Sequence, residues 1–228
     1  MCDATGALPQ SLASACSRIL QSVLACALGC GACATYGSHL TATPTDIGRS
    51  RLGVDIDAIY LDRGTGYQIL PNPAMSYKKS LAYDLDLGLR ANALGGVGNL
   101  RWRFYTSKDL SLALVPGLGF GFVAATNADT GLFQAVAATD LLLGYQFGAR
   151  TTFVLGARTR AELQLPSIVF SEPSGTKLVL LPGGTLGIRF PVGQDTYLFP
   201  EVNVFADFDT QRHQWLPPIV QGGTALEF

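Results

Sequence analysis

Residues 153–165 read FVLGARTRAELQL, and the order of residues in this stretch decides the fold. Phe153, Leu155, Ala157, Thr159, Ala161, Leu163 and Leu165 hold the odd positions, while Val154, Gly156, Arg158, Arg160, Glu162 and Gln164 hold the even ones. A period of two sends alternate side chains to opposite faces of a β-strand. A helical spacing does not gather these apolar residues on one side. One face is therefore aliphatic, and the other is charged as well as polar.

The same alternation recurs on both sides of this stretch. Arg101-Trp102-Arg103-Phe104-Tyr105 sets arginine against large apolar groups, and Tyr83 to Arg90 sets Asp84, Asp86 and Arg90 against Leu85, Leu87 and Leu89. In Leu110–Phe122, Leu110, Leu112, Leu114, Leu118, Phe120 and Phe122 oppose Ser111, Ala113, Val115, Gly117, Gly119 and Gly121. The pattern predicts strands near 51–61, 69–77, 82–91, 97–106, 110–123, 133–147, 151–165, 177–190, 196–208 and 217–228. Pro71 and Pro73 weaken the second. Most lengths meet or exceed the roughly 9–11 residues a tilted strand needs to cross a bilayer core.

Composition agrees with a wall of such strands. Only 14% of the 228 residues are charged, glycine reaches 26 residues, and mean hydropathy is +0.26. No apolar run approaches the 18 or so residues of a membrane helix. A net charge of −1 speaks against nucleic-acid binding, which calls for a basic stripe. The length suits one folded domain.

Which face meets hydrocarbon decides between a water-soluble barrel and a membrane barrel. The faces opposite the charges are large and aromatic-rich for a core of this size. With those faces on lipid, the charges fall inside: Asp55, Asp57, Asp84, Asp86, Arg90, Arg101, Arg103, Asp140, Arg158, Arg160, Glu162, Arg189, Glu201, Asp207 and Glu227. An outward arginine at the bilayer midplane costs about 2–4 kcal/mol, so these six arginines fix the register. Connections alternate too. Those near 78–81, 107–109, 148–150 and 191–195 are short; those near 62–68, 124–132, 167–175 and 210–215 are longer, with 92–96 a tight exception. Short turns on one side, long loops on the other and an even strand count put both ends of the wall on the short-turn side.

The segment before the wall has a different character. All five cysteines (Cys2, Cys16, Cys26, Cys30 and Cys33) precede residue 34, which points to an exported, thiol-free body. Ile19–Gly29 (ILQSVLACALG) has the length of a signal-peptide core and is too short for a membrane span. Ala27-Leu28-Gly29-Cys30 resembles a bacterial lipobox, which implies lipidation of Cys30; Cys26 follows a similar Val-Leu-Ala. The expected organisation is a signal peptide at 1–29, a periplasmic linker at 30–49 tethered at Cys30, and a barrel at 50–228.

The chain closes on Val220-Gln221-Gly222-Gly223-Thr224-Ala225-Leu226-Glu227-Phe228, an alternating strand with an aromatic end. This resembles the last-strand signal of outer-membrane β-barrel proteins of Gram-negative bacteria, and the likeness covers about residues 50–228. The resemblance implies an all-β, closed, antiparallel up-and-down transmembrane barrel of about ten strands, with eight the other count. It also implies outer-membrane lipid as surroundings, and a barrel-assembly machinery that reads Phe228. It implies no activity.

Little chemistry stands out. The only histidines are His39 in the linker and His213 in the last long loop. His213 with Asp207, Asp209 and Ser167 or Ser171 could form a rim hydrolase, against the plainer reading of a solvated loop histidine. The body holds no His or Cys pair at metal-ligand spacing, and no cofactor is expected. Asp55/Asp57 and Asp84/Asp86 could hold a hard cation, but pairing with arginine is the expectation. Gly117-x-Gly119-x-Gly121 lies inside a strand and is no phosphate loop. Bulky opposite charges should occlude a ten-stranded lumen. The functional expectation is a non-enzymatic scaffold that presents its outer loops, residues 166–176 and 209–217 with Phe170, His213 and Trp215, to partners. A narrow small-solute channel, a rim hydrolase and a soluble periplasmic barrel with an apolar ligand are the competing readings.

Overall fold

A computed structural model describes residues 39–43, 45–62, 67–92, 95–124, 131–148, 150–166, 176–209 and 214–228. Ten strands account for most of them: β1 (Ser50–Asp62), β2 (Tyr67–Ala82), β3 (Leu85–Asn92), β4 (Gly95–Thr106), β5 (Leu110–Ala124), β6 (Gly131–Phe147), β7 (Thr151–Pro166), β8 (Lys177–Pro191), β9 (Tyr197–Asp209) and β10 (Gln214–Glu227). Each pairs antiparallel with its sequence neighbours, and β1 pairs with β10 to close the barrel. Reciprocal backbone bonds between Leu52 and Phe228, at 3.0 and 2.9 Å, fasten that seam at the short-turn end. Closure leaves no edge strand in the sheet, since every strand has a neighbour on both sides along part of its length, as a sheet exposed to hydrocarbon requires.

The strands sit where the alternation predicts, within a few residues. The largest difference is β2, which extends to 16 residues despite Pro71 and Pro73. Both prolines pair with β1, but β3 opposes β2 only as far as Ala74. They therefore lie where β2 has no neighbour on its other side, the position in which a missing N–H is tolerated. A second proline pair, Pro217-Pro218, falls at the irregularity between Leu216 and Ile219 in the β9–β10 ladder. The β6–β7 connection turns on Gly148, whose φ of 72° suits glycine.

Side chains divide by face as the period of two requires. Asp55, Asp57, Asp86, Arg90, Arg101, Asp140, Arg158, Arg160, Glu162, Glu201 and Glu227 are buried inside the wall. Val54, Ile56, Met75, Leu89, Leu118, Leu141, Leu155, Leu186, Val202 and Val204 are exposed outside it. Exposed aromatic residues cluster towards the two ends of the wall. Tyr83, Trp102, Phe104, Tyr105, Tyr145, Phe147 and Phe228 lie near the short-turn end, and Phe120, Phe133 and Trp215 towards the long-loop end. Aliphatic residues fill the band between them, the girdled profile of a wall in a bilayer.

Candidate functional site

The lumen is the candidate site, because there the sequence places costly groups where no bulk water solvates them. Strand alternation aims them inward from facing staves. Arg158 on β7 stands opposite Asp140 on β6, with Nε 3.6 Å from Oδ2. Its Nη1 donates to Glu201 Oε1 at 3.2 Å and to Asn203 Oδ1 at 2.7 Å, both on β9. Asn203 in turn donates to Glu201 at 2.7 Å. Gln134 donates to Glu162 at 2.7 Å, and the Arg160 guanidinium lies 5.4 Å over the Phe205 ring. Removing charge from water is expensive unless partners replace the hydration. These contacts supply partners from three strands, β6, β7 and β9.

A second group of pairs joins β1, β2, β3, β4, β8 and β10. Arg90 of β3 reaches back to β1 and bonds both Asp55 and Asp57. Arg101 bonds Asp86 across the β3–β4 ladder. Glu227 of β10 receives Lys78 from β2 and Arg189 from β8, the latter at 2.8 Å. Charge-assisted pairs of this kind cross-link strands that are distant in sequence.

Beside these pairs the lumen is filled by the chain itself. His39, Leu40, Thr41, Ala42 and Thr45, which precede β1, are buried inside the barrel. Leu40 and Ala42 are buried against inward residues Ala113, Val115, Leu142, Val154, Phe199 and Ala225. His39 Nε2 lies 2.9 Å from Asp57 Oδ1, and its ring meets Phe199 edge-on at 5.7 Å. Polar bonds hold the segment's backbone: Lys78 donates to the His39 carbonyl at 2.6 Å, Arg101 to that of Thr41 at 2.9 Å, and the Thr45 N–H to Asp86 at 2.6 Å. A charged lumen thus has an apolar patch, and Leu40 and Ala42 are seated in it.

Several sequence expectations are revised. Asp84 is not in the lumen. Tyr83-Asp84 forms the β2–β3 turn, so inward alternation begins only at β3, and the Asp84 side chain is 42% exposed. Arg103 pairs with it at 2.7 Å at the rim, beside the β4–β5 irregularity. Asp84 and Asp86 therefore share no site. Asp207 is half-buried near the far end of β9. The linker expected at 30–49 is not wholly outside the wall, since His39–Ala42 and Thr45 are buried within it. Lys78, placed by the sequence reading in a turn, lies in β2 and is buried. Cys26, Cys30, the signal segment 1–29, Ser167, Phe170, Ser171 and His213 fall outside the described residues.

His39, Asp55 and Asp57 hold ligand-type atoms within 4.8 Å of one another. The Arg90 guanidinium engages both carboxylates, however, and already supplies the positive charge that a cation would bring. The donor set is spent on ion pairing.

Charges enclosed and cross-linked, with aliphatic and aromatic rows outside, invert the arrangement of a barrel built for water. The architecture is that of an outer-membrane β-barrel. No protein-family model and no curated protein matches the chain. Among solved structures, it is similar to Neisserial surface protein A at 11% identity, covering 78% of this chain and 94% of that one with a TM-score of 0.39. The translocator domain of the autotransporter NalP from Neisseria meningitidis matches at 13% identity, over 99% of each chain, with a TM-score of 0.36. The outer-membrane protease OmpT from Escherichia coli matches at 7% identity, over 83% of this chain and 98% of that one, with a TM-score of 0.31. The likeness is one of fold alone.

Proposed function

We propose that the chain is a closed barrel of the bacterial outer membrane that serves as a structural or interaction scaffold, its lumen sealed by its own N-terminal segment and its outer loops offered to partners. The observation that carries the reading is the seating of Leu40 and Ala42 among inward residues of five strands, β5, β6, β7, β9 and β10. A general diffusion pore needs an open water path. Here an apolar patch and two groups of ion pairs oppose one. Within the same proposal, Cys30 would tether the chain and the Phe228 end would serve barrel assembly. No catalytic step is assigned to His213.

Planar-bilayer recording tests the proposal. Wild-type protein should insert without large stable conductance, and Ala42→Arg, which places a long cation in the apolar patch, should raise conductance by displacing the segment. Steady wild-type conductance of a size that passes small solutes would reject the sealed-scaffold reading. Loss of a lipid-hydrolysis activity in His213→Ala would replace it with an enzyme.

A further inference from the structure

The cavity at the short-turn mouth of the barrel is lined by more cations than its carboxylates can neutralise. It encloses roughly 220 Å³, and its lining includes Arg51, Lys78, Arg101, Arg150 and Arg189 against only Asp46 and Glu227. Five cations less two acids leaves a formal excess of three, or two when Asp86, the partner of Arg101, is counted. Glu227 is shared by Lys78 and Arg189. Arg51 and Arg150 have no carboxylate in ion-pair reach among the described residues.

Tyr197 gathers Arg51, Arg150 and Arg189, of which Arg189 also pairs with Glu227 and Arg150 also donates to the Gln194 carbonyl. The Arg189 guanidinium carbon lies 3.4 Å from its ring centroid, and those of Arg51 and Arg150 lie 4.9 Å away. Arg150 also donates to the Tyr197 hydroxyl through Nε at 3.1 Å and Nη2 at 3.0 Å. Three like charges around one ring repel at these distances. Cation–π attraction offsets part of that repulsion, and a bound anion would offset the rest. Guanidinium forks match tetrahedral oxyanions through paired N–H donors. Thr41, Thr43 and Thr45 line the same cavity from the segment that enters the lumen. The volume is below the ~300–1,000 Å³ of pockets for drug-sized ligands, which favours a small ligand.

We infer that this mouth is a binding site for a phosphate-type oxyanion, with Arg51, Arg150 and Arg189 grouped on Tyr197 as its recognition element. The oxyanion could be free phosphate, a soluble phosphomonoester or a phospholipid headgroup, three sources of one chemistry. The site depends on the closed barrel and is independent of the scaffold role.

Equilibrium dialysis of labelled inorganic phosphate against the full chain in phosphate-free, non-ionic detergent tests the inference. It predicts saturable binding at one phosphate per barrel, and a heat-modifiable gel midpoint that rises with phosphate. Arg51→Gln with Arg150→Gln should weaken binding at least about tenfold while the folded gel form persists. Lys108→Gln, which removes an exposed charge from the turn after β4 at the same end, should bind as wild type. Competition by glycerol 3-phosphate marks a phosphomonoester site. Competition by phosphatidylglycerol added as mixed micelles, but not by phosphatidylcholine added likewise, marks a headgroup site. Phosphate that fails to saturate, or that saturates equally in the double variant, overturns the inference. An equal loss in Lys108→Gln also overturns it, because diffuse charge would then be the cause. Should the double variant fail to fold, wild-type saturation and the stoichiometry of one still decide.

Discussion

Asp57 and Gly223 face each other across the β1–β10 seam, and the space a side chain would need on Gly223 is filled by the Asp57 carboxylate. A Cβ on Gly223 would lie only 2.9 Å from the Asp57 carboxyl carbon and from the Ile56 carbonyl oxygen, closer than real Cβ contacts. Asp57 is the carboxylate that meets His39 and Arg90 together. A single absent side chain at the seam thus makes room for the contact between barrel and lumen segment.

Gly223→Ala should therefore displace Asp57 and destabilise the folded barrel by about 1–3 kcal/mol, the usual cost of overpacking. Urea unfolding in micelles, followed by heat-modifiable mobility, checks this. Gly222→Ala is the matched control, since nothing lies within 4 Å of a Cβ there and its cost should be small.

Arg158 anchors the network that joins β6, β7 and β9. Arg158→Met leaves Asp140 and Glu201 buried without their shared cation. Breaking a buried pair from one side costs about 3–5 kcal/mol. The same unfolding measurement should register that loss, and adding Glu201→Gln should recover part of it by removing one orphaned charge.

The outer face makes the opposite demand. Leu155, Leu186 and Val202 are neighbours on β7, β8 and β9, each about half exposed. Leu186→Arg should cost about 2–4 kcal/mol for the barrel in a bilayer, through placing a charge in hydrocarbon. On a water-facing wall the same change would be nearly neutral. Refolding yield in vesicles reports the difference.

Most of the wall is legible in the sequence because alternation records only which face a residue occupies, and ten such records in series define a barrel. Residues 153–165 and 110–122 show it without interruption. The prolines of β2 obscure it, since whether Pro71 and Pro73 are tolerated depends on how far β3 climbs beside them. Asp84 misleads for a related reason, because alternation continues through a two-residue turn on paper but not in space. The lumen segment is not legible at all. HLTATPT has no apolar period, and the burial of Leu40 and Ala42 depends on the space beside small inward residues such as Ala113, Gly144 and Ala225, which only closure brings together. The Tyr197 cluster is hidden similarly, since Arg51, Arg150 and Arg189 come from two strands and a turn that meet only at the mouth.

The claim on which the account turns is that the rows outside the wall meet hydrocarbon. The chain has two tryptophans, Trp102 and Trp215, both exposed and at opposite ends of the wall. Intrinsic tryptophan fluorescence of barrel refolded into brominated phosphatidylcholine measures their contact with lipid directly. Strong quenching, greatest with bromines near the headgroup where aromatic girdles lie, is the predicted result. Fluorescence that is indifferent to brominated lipid yet quenched by aqueous iodide would contradict it.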